Sequence, residues 1–236
     1  MPQKLQTIGF DADDTLWQNE HFFRVTQARF AELLADYTDS DHLHDRLLAA
    51  ERRNIGRYGF GIKGFMLSMI ETAIEVTDQK VPASVIGELL SAGQEMLAHP
   101  IHLLPHAEDA VRILAETYQL VLITKGDLLD QERKLAQSGL GDFFHGVEIV
   151  SEKTPAIYHR AFGTHGDGPQ NAMMVGNSMK SDVVPAIEAG AWGVYVPHGL
   201  IWELERAEAP KGHARYRELQ DLGQVVDLVS EISQQN

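Results

Sequence analysis

The stretch Phe10-Asp11-Ala12-Asp13-Asp14-Thr15-Leu16-Trp17 places three carboxylates within four positions, directly after the apolar-rich run 5–10. Like charges this close repel and raise one another's pKa, so the cluster costs stability unless opposite charge comes to it. A divalent cation and a lysine ammonium are the natural partners, and later segments supply candidates for both. Thr124, Lys125 and Gly126 stand in "LITKG", Lys153 in "SEKTP", and Asn177, Ser178 and Asp182 in "GNSMKSD". The types present are carboxylates, a hydroxyl, lysines and an amide. Together they suit a bound hard cation and an anionic ligand.

The elements that must position these residues can be read from periodicity. Residues 5–10, 119–124, 146–150, 172–176 and 193–196 are apolar runs of strand length, with a further short strand near 214–218. Helical spacing fits 106–117, 128–138, 154–163, 181–189 and 221–233, with Gly139 and Gly190 as C-terminal caps. Apolar strands alternating with helices imply a parallel sheet covered on both faces. In such a sheet ligands bind at the carboxyl ends of the strands, and each candidate residue lies just past one of those ends. Residues 19–98 break the rhythm: helices are expected near 19–34, 40–54, 64–77 and 83–98, with Phe22, Val25, Phe30, Leu33 and Leu34 at helical spacing. The expected organisation is therefore a core of 1–17 and 100–236 interrupted by an inserted helical cap of 18–99.

The chain has 236 residues, 44% hydrophobic and 23% charged, and a formal net charge of −14 from 20 basic and 34 acidic residues. Such a charge argues against nucleic-acid or anionic-membrane binding, though a local cation can still hold a small anion. No apolar run approaches the ~20 residues that span a bilayer. The chain has no cysteine, which excludes disulfides, thiolate metal sites and cysteine nucleophiles. A cytoplasmic location is expected.

With four motifs in order, the chain resembles the haloacid dehalogenase superfamily of phosphohydrolases. "DADDT" fits D-x-D-x-T, "LITKG" the Ser/Thr motif, Lys153 the lysine motif, and "GNSMKSD" the acidic loop. The resemblance implies an α/β fold, a doubly wound Rossmann-like parallel sheet with an α-helical cap. It also implies a Mg²⁺-dependent phosphatase acting on a small phosphorylated metabolite through an aspartyl-phosphate. Asp11 would be the nucleophile and Asp13 the general acid and then base. Thr124 and the backbone N–H groups of Lys125 and Gly126 would hold the phosphoryl group, with Lys153 neutralising it and Asp11. Asp11, the Asp13 carbonyl, Asn177 and Asp182 would form the metal set. Asn177 departs from the family, which mostly has Asp there; an amide oxygen can ligate Mg²⁺ without adding charge. Thr15 is expected to order the loop, Asp14 to be a solvated loop residue, and Trp17 to pack beneath the cap hinge.

Other chemistries of the superfamily stay open at this point. Dehalogenases lack the second acid because a halide leaves without a proton, so Asp13 argues against them. Phosphonate hydrolysis needs a cap lysine, for which Lys63 is the candidate, and the catalytic residues leave phosphomutase activity open. A binding or regulatory protein of weak activity is favoured by Asn177 alone. "GFGIKG" (59–64) satisfies G-x-G-x-x-G but follows no strand, so a bend between helices is expected rather than a dinucleotide site. Over 51–63, four basic residues face one acidic residue, a local charge of +3. Within that stretch Arg57 and Lys63 are candidates to grip an anionic substrate. The chain is expected to be a monomer or a homodimer.

Overall fold

The computed structural model describes residues 4–235. Six strands form one sheet: β1 (Thr7–Phe10), β2 (Gln119–Lys125), β3 (Gly146–Val150), β4 (Ala172–Gly176), β5 (Trp192–Tyr195) and β6 (Tyr216–Glu218). All neighbours pair in parallel, in the order β3-β2-β1-β4-β5-β6. The chain winds outward in both directions from the middle, so the order reverses between β1 and β4, where a doubly wound sheet opens its crevice. The fold is the α/β, Rossmann-like arrangement expected from the sequence.

Nine α-helices are present among the described residues: α1 (Glu20–Leu33), α2 (Ser40–Tyr58), α3 (Ile62–Val76), α4 (Ala83–Ala98), α5 (Ala107–Ala115), α6 (Leu128–Ser138), α7 (Pro155–Thr164), α8 (Val184–Glu188) and α9 (Val225–Gln235). Alternation along the strands decides which helices meet which face. Ile8, Phe10, Leu120, Leu122, Met173 and Val175 pack with Val111 and Leu114 of α5 and with Val225, Val229 and Ile232 of α9. Val121, Ile123 and Met174 point the other way, onto Tyr158 and Phe162 of α7 and Ala186 of α8.

The chain divides into two compact units. Met1–Glu20, Ile101–Lys125 and Gln131–Asn236 form the sheet unit; His21–Pro100 and Gly126–Asp130 form the helical unit. Gly126–Asp130, expected with the sheet, thus packs with the helices instead. The reason is local: the Lys63 ammonium pairs with Asp127 at 2.9 Å, and that ion pair holds the Asp127 carboxyl below its ordinary range.

The helical unit closes around Phe30, Leu34, Leu47, Phe65, Met69 and Leu89. The inward ridge of α1 is Thr26 and Phe30, continued one residue past its end by Leu34, all spaced by four, while Val25, expected inside, is 57% exposed. Ion pairs Arg53–Glu71 and Arg46–Glu75 stitch α2 to α3. Between those helices Gly59 and Gly61 take φ of +75° and +108°, which side chains rarely adopt. The glycines of "GFGIKG" therefore make the expected bend.

After β4 the expected helix 181–189 begins instead as a widened turn, Met179–Val183, with π-type bonding, and becomes α8 only at Val184. Pro185 has no N–H to give the Ser181 carbonyl. The buried Tyr158 hydroxyl donates to that carbonyl instead, at 2.8 Å.

One polar atom is stranded. The Thr7 Oγ1 is buried and has no hydrogen-bond partner among the described residues. Thr7→Val keeps the shape and removes the unmet hydroxyl, so it should stabilise the protein by about 1 kcal/mol. The melting temperature should then rise by roughly 2–4 °C, as measured by thermal unfolding of both proteins.

Candidate active site

β1 ends by delivering Asp11, whose N–H donates to the Val175 carbonyl of β4 at 2.9 Å. One Asp11 carboxylate oxygen accepts from the Lys153 ammonium at 2.5 Å; the other lies 3.1 Å from the Thr15 hydroxyl. Lys153 comes from the loop after β3, and its ammonium also donates to Asp182 at 2.6 Å. Thr154 caps α7 by accepting from the Ile157 N–H, with Pro155 in the first turn, and so fixes the backbone beside this lysine.

Burial alone would push the Lys153 ammonium toward neutrality. The carboxylates of Asp11 and Asp182 outweigh that and hold its pKa above the ordinary lysine value. Two carboxylates share one ammonium, and the deeper one carries the strain: burial, with the charge of Asp11, raises Asp182 to about 7 despite Lys153. Both Asp182 oxygens are engaged, one by Lys153 and one by the Ser178 N–H at 2.8 Å.

Thr15 ties the first and last motifs together. Its hydroxyl accepts from the Asn177 N–H at 3.0 Å and lies 3.3 Å from the Asn177 amide oxygen. That oxygen stands 3.2 Å from Asp11 Oδ2 and 3.3 Å from the Asp13 carbonyl. A carboxylate, a carbonyl and an amide oxygen thus meet with only the Thr15 hydroxyl to donate among them, a set suited to a hard divalent cation. With the amide turned over, its NH₂ donates to Asp11, the Asp13 carbonyl and Thr15 instead. Among the described residues no three His, Asp or Glu side chains gather as a metal cluster.

The Asp13 side chain points away from this set. Its oxygens accept from Trp17 Nε1 at 2.7 Å, Gln131 Nε2 at 2.8 Å and the Lys134 ammonium at 3.0 Å each. Asp14 is a correction: it is buried rather than solvated. It takes φ of +59° and accepts from the N–H groups of Asn19 and Glu20 at the start of α1. Burial raises its carboxyl to about 6, against those bonds and the charge of His198. Trp17 is buried in the core of the sheet unit.

Thr124 is buried at the end of β2, and its hydroxyl makes only long contacts, at 3.4 Å, to the Lys125 carbonyl and Gln131. The Lys125 ammonium donates to Ser181 at 2.8 Å and to Glu205 at 2.6 Å. Gly126 opens the segment that packs with the helical unit. In that unit Lys63 is taken by Asp127, and Arg57 is exposed, its charge adding to the Arg53 and Asn54 hydrogen bonds that hold the Glu71 carboxyl low. The structure thus brings together Asp11, the Asp13 backbone, Asn177, Lys153 and Asp182.

Sequence reasoning missed Gln131, Lys134 and Glu205. The first two carried a faint signal, a Gln and a Lys three apart on the helix after "LITKG". Glu205 lies in a polar loop without periodicity and carried none.

A model of the haloacid dehalogenase-like hydrolases matches residues 5–190. The chain belongs to that family. It is a hydrolase. A haloacid dehalogenase-like family hydrolase from Xanthomonas campestris is 40% identical, with a TM-score of 0.86 over 100% of this chain and 96% of that one. A glyceraldehyde 3-phosphate phosphatase from Pyrococcus furiosus is 25% identical over 212 residues, 86% of this chain and 85% of that protein. A Bacillus subtilis hydrolase of the family, YfnB, bound to magnesium, shares the fold at 15% identity and a TM-score of 0.66, covering 96% of this chain and 99% of that one.

Glu205 binds the acidic loop of this hydrolase. It accepts from Ser178 and Ser181 at 2.5 Å each and from Lys125. Burial pushes its carboxyl up, but the Lys125 charge and these bonds prevail and hold it below the ordinary glutamate value. A depressed pKa gives stability that is present above the unfolded value and lost as pH falls through the folded one. Glu205→Gln should therefore cost about 1–3 kcal/mol at pH 7. The gap from the parent should narrow as the pH drops below the ordinary glutamate range, as read by thermal unfolding from pH 7 down to about pH 3.

Proposed function

We propose that this hydrolase is a phosphatase that transfers the phosphoryl group of a small phosphomonoester to Asp11 and then to water. The observation that carries the reading is the Asp11 carboxylate itself. One of its oxygens is held by a buried lysine, and the other lies against the Thr15 hydroxyl and the Asn177 amide. Matches to phosphatases named for a three-carbon phosphate support a small substrate.

In the first step an Asp11 oxygen attacks phosphorus, the bond from phosphorus to the leaving oxygen breaks, and Asp13 gives that oxygen a proton. In the second, water attacks the aspartyl-phosphate, Asp13 takes a proton from the water, the bond from Asp11 to phosphorus breaks, and phosphate departs. Lys153 offsets the negative charge gathered on Asp11 and the phosphoryl oxygens, and Asp182 keeps that ammonium charged and in place. Thr124 has a hydroxyl only loosely engaged and supplies a donor to the phosphoryl group, with the N–H groups of Lys125 and Gly126. Asp11, the Asp13 carbonyl and Asn177 would hold Mg²⁺, which when bound offsets the repulsion between Asp11 and the incoming phosphate. Asp182 supports the set from behind, through Lys153 and the Ser178 N–H. Arg57 and Lys63 remain candidates for gripping the rest of an anionic substrate. The cytoplasm fits a soluble metabolite phosphatase, and among the described residues no helix is long and apolar enough to cross a membrane.

Phosphate release from a panel of sugar, nucleotide and small-acid phosphates, with and without Mg²⁺, tests the activity. Asp11→Asn should abolish turnover in a folded protein, and Asp13→Ala should slow it by roughly 10²–10⁴. Near-normal turnover in folded Asp11→Asn would end this reading. Halide release from a 2-haloacid without phosphate release would replace it.

The metal assignment has its own test. Asn177→Asp adds a carboxylate beside Asp11 and removes the donor that the turned amide offers. Without metal the variant should melt lower than the parent. Added Mg²⁺ should then raise its melting temperature by more than it raises the parent's. An identical response in both proteins would place the metal elsewhere.

A further inference from the structure

The Asp13 carboxylate is held by groups that none of the four motifs contains. Trp17 takes one oxygen and Gln131 the other, at 2.7 and 2.8 Å. The Lys134 ammonium spans both, at 3.0 Å each, and is itself steadied by donating to Asn19 Oδ1 at 2.8 Å. The Lys134 side chain is 7% exposed, and lysine is almost never so buried unless it is paired. The helix that carries it turns polar side chains inward over its first two turns, while Leu135 still packs on the core. α6 buries Asp130, Gln131 and Lys134 and leaves Leu128 and Leu129 in solvent. The burial of Gln131 and Lys134 is accounted for by the carboxylate they bind.

An aspartate on a loop can swing about two bonds, whereas proton transfer needs heavy atoms within about 2.6–3.2 Å. Taking Asp13 as the acid–base group, we propose that Lys134, with Trp17 and Gln131 beside it, is the positioning residue of that group. It sets the carboxylate where a proton can pass to the leaving oxygen, and it touches no reacting atom itself.

The role predicts a dependence on the leaving group. The ratio kcat/KM reports the steps through formation of the aspartyl-phosphate, in which Asp13 gives its proton. A 4-nitrophenolate leaves with little need for that proton; an alkoxide needs it. With saturating Mg²⁺, kcat/KM is measured on 4-nitrophenyl, phenyl and glycerol phosphates. The proteins are the parent, Lys134→Met, Lys134→Arg, Asp13→Ala and the double variant Asp13→Ala/Lys134→Met. Lys134→Met should lose roughly 10–100-fold on glycerol phosphate, part of what a positioned acid contributes, and no more than a few-fold on the nitrophenyl ester. Lys134→Arg should recover most of the loss, because a guanidinium can fork onto both carboxylate oxygens. The double variant should be no slower than Asp13→Ala, since the two groups act through one another. If Lys134→Met fails to fold, Lys134→Gln carries the same comparison.

Equal losses on all three esters, or losses that add in the double variant, would overturn the role. If Asp13→Ala steepens the dependence and Lys134→Met does not, the positioning role alone falls. If Asp13→Ala leaves the dependence unchanged, the acid–base assignment falls and the role of Lys134 with it.

Discussion

The buried ammonium of Lys153 is the constraint on which the rest of the site depends. It sits between two carboxylates from distant parts of the chain, Asp11 after β1 and Asp182 after β4. Burying any one of these charges alone would cost several kcal/mol, so each requires the others. The sheet supplies the precision. β1 and β4 are neighbours in register, and the loop after β3 reaches them from the far side of β2. Removing a partner would leave an unpaired charge in the interior, not merely a missing contact.

That constraint explains the local irregularities. The widened turn at Met179–Val183 sets Asp182 back beneath the sheet end, with one oxygen on Lys153 and the other on the Ser178 N–H. Pro185, in the first turn of α8, has no N–H for the Ser181 carbonyl, and Tyr158 from α7 satisfies the carbonyl so freed. Glu205 then gathers the two serines of the same turn and the lysine that ends β2. Each deviation from regular structure satisfies a polar group that the arrangement of charges has displaced.

The inner strands β1, β2 and β4 were legible because each is a short apolar run closed by a polar residue, and a parallel sheet buries both faces of such a run. The strand ends exposed Asp11, Thr124, Lys153 and Asn177 to reasoning from sequence alone. Side-chain direction was less legible. Asp14 reads as a loop residue, yet it turns inward to hold the start of α1, and nothing in its spacing announces that. Val25 fits the helical period of Phe22 and Phe30 but falls on the outer side of the ridge through Thr26. Gln131 and Lys134 left only a faint signal, because a buried lysine looks like a surface lysine until its partner is known, and that partner lies more than a hundred residues away. The segment Gly126–Asp130 was assigned to the sheet by continuity, whereas it belongs with the helical unit, to which the ion pair Lys63–Asp127 ties it.

Asn177 has a consequence for shape. The two ends of a primary amide differ in electrical sense but scarcely in bulk. A half-turn about its last bond exchanges an acceptor for a donor without displacing Asp11, Thr15 or the backbone between them. A carboxylate at the same position would present oxygen in either orientation, and its neighbours would have to retreat or be screened. The loop after β4 can therefore keep one backbone conformation in two electrostatic conditions, with a single torsion as the moving part.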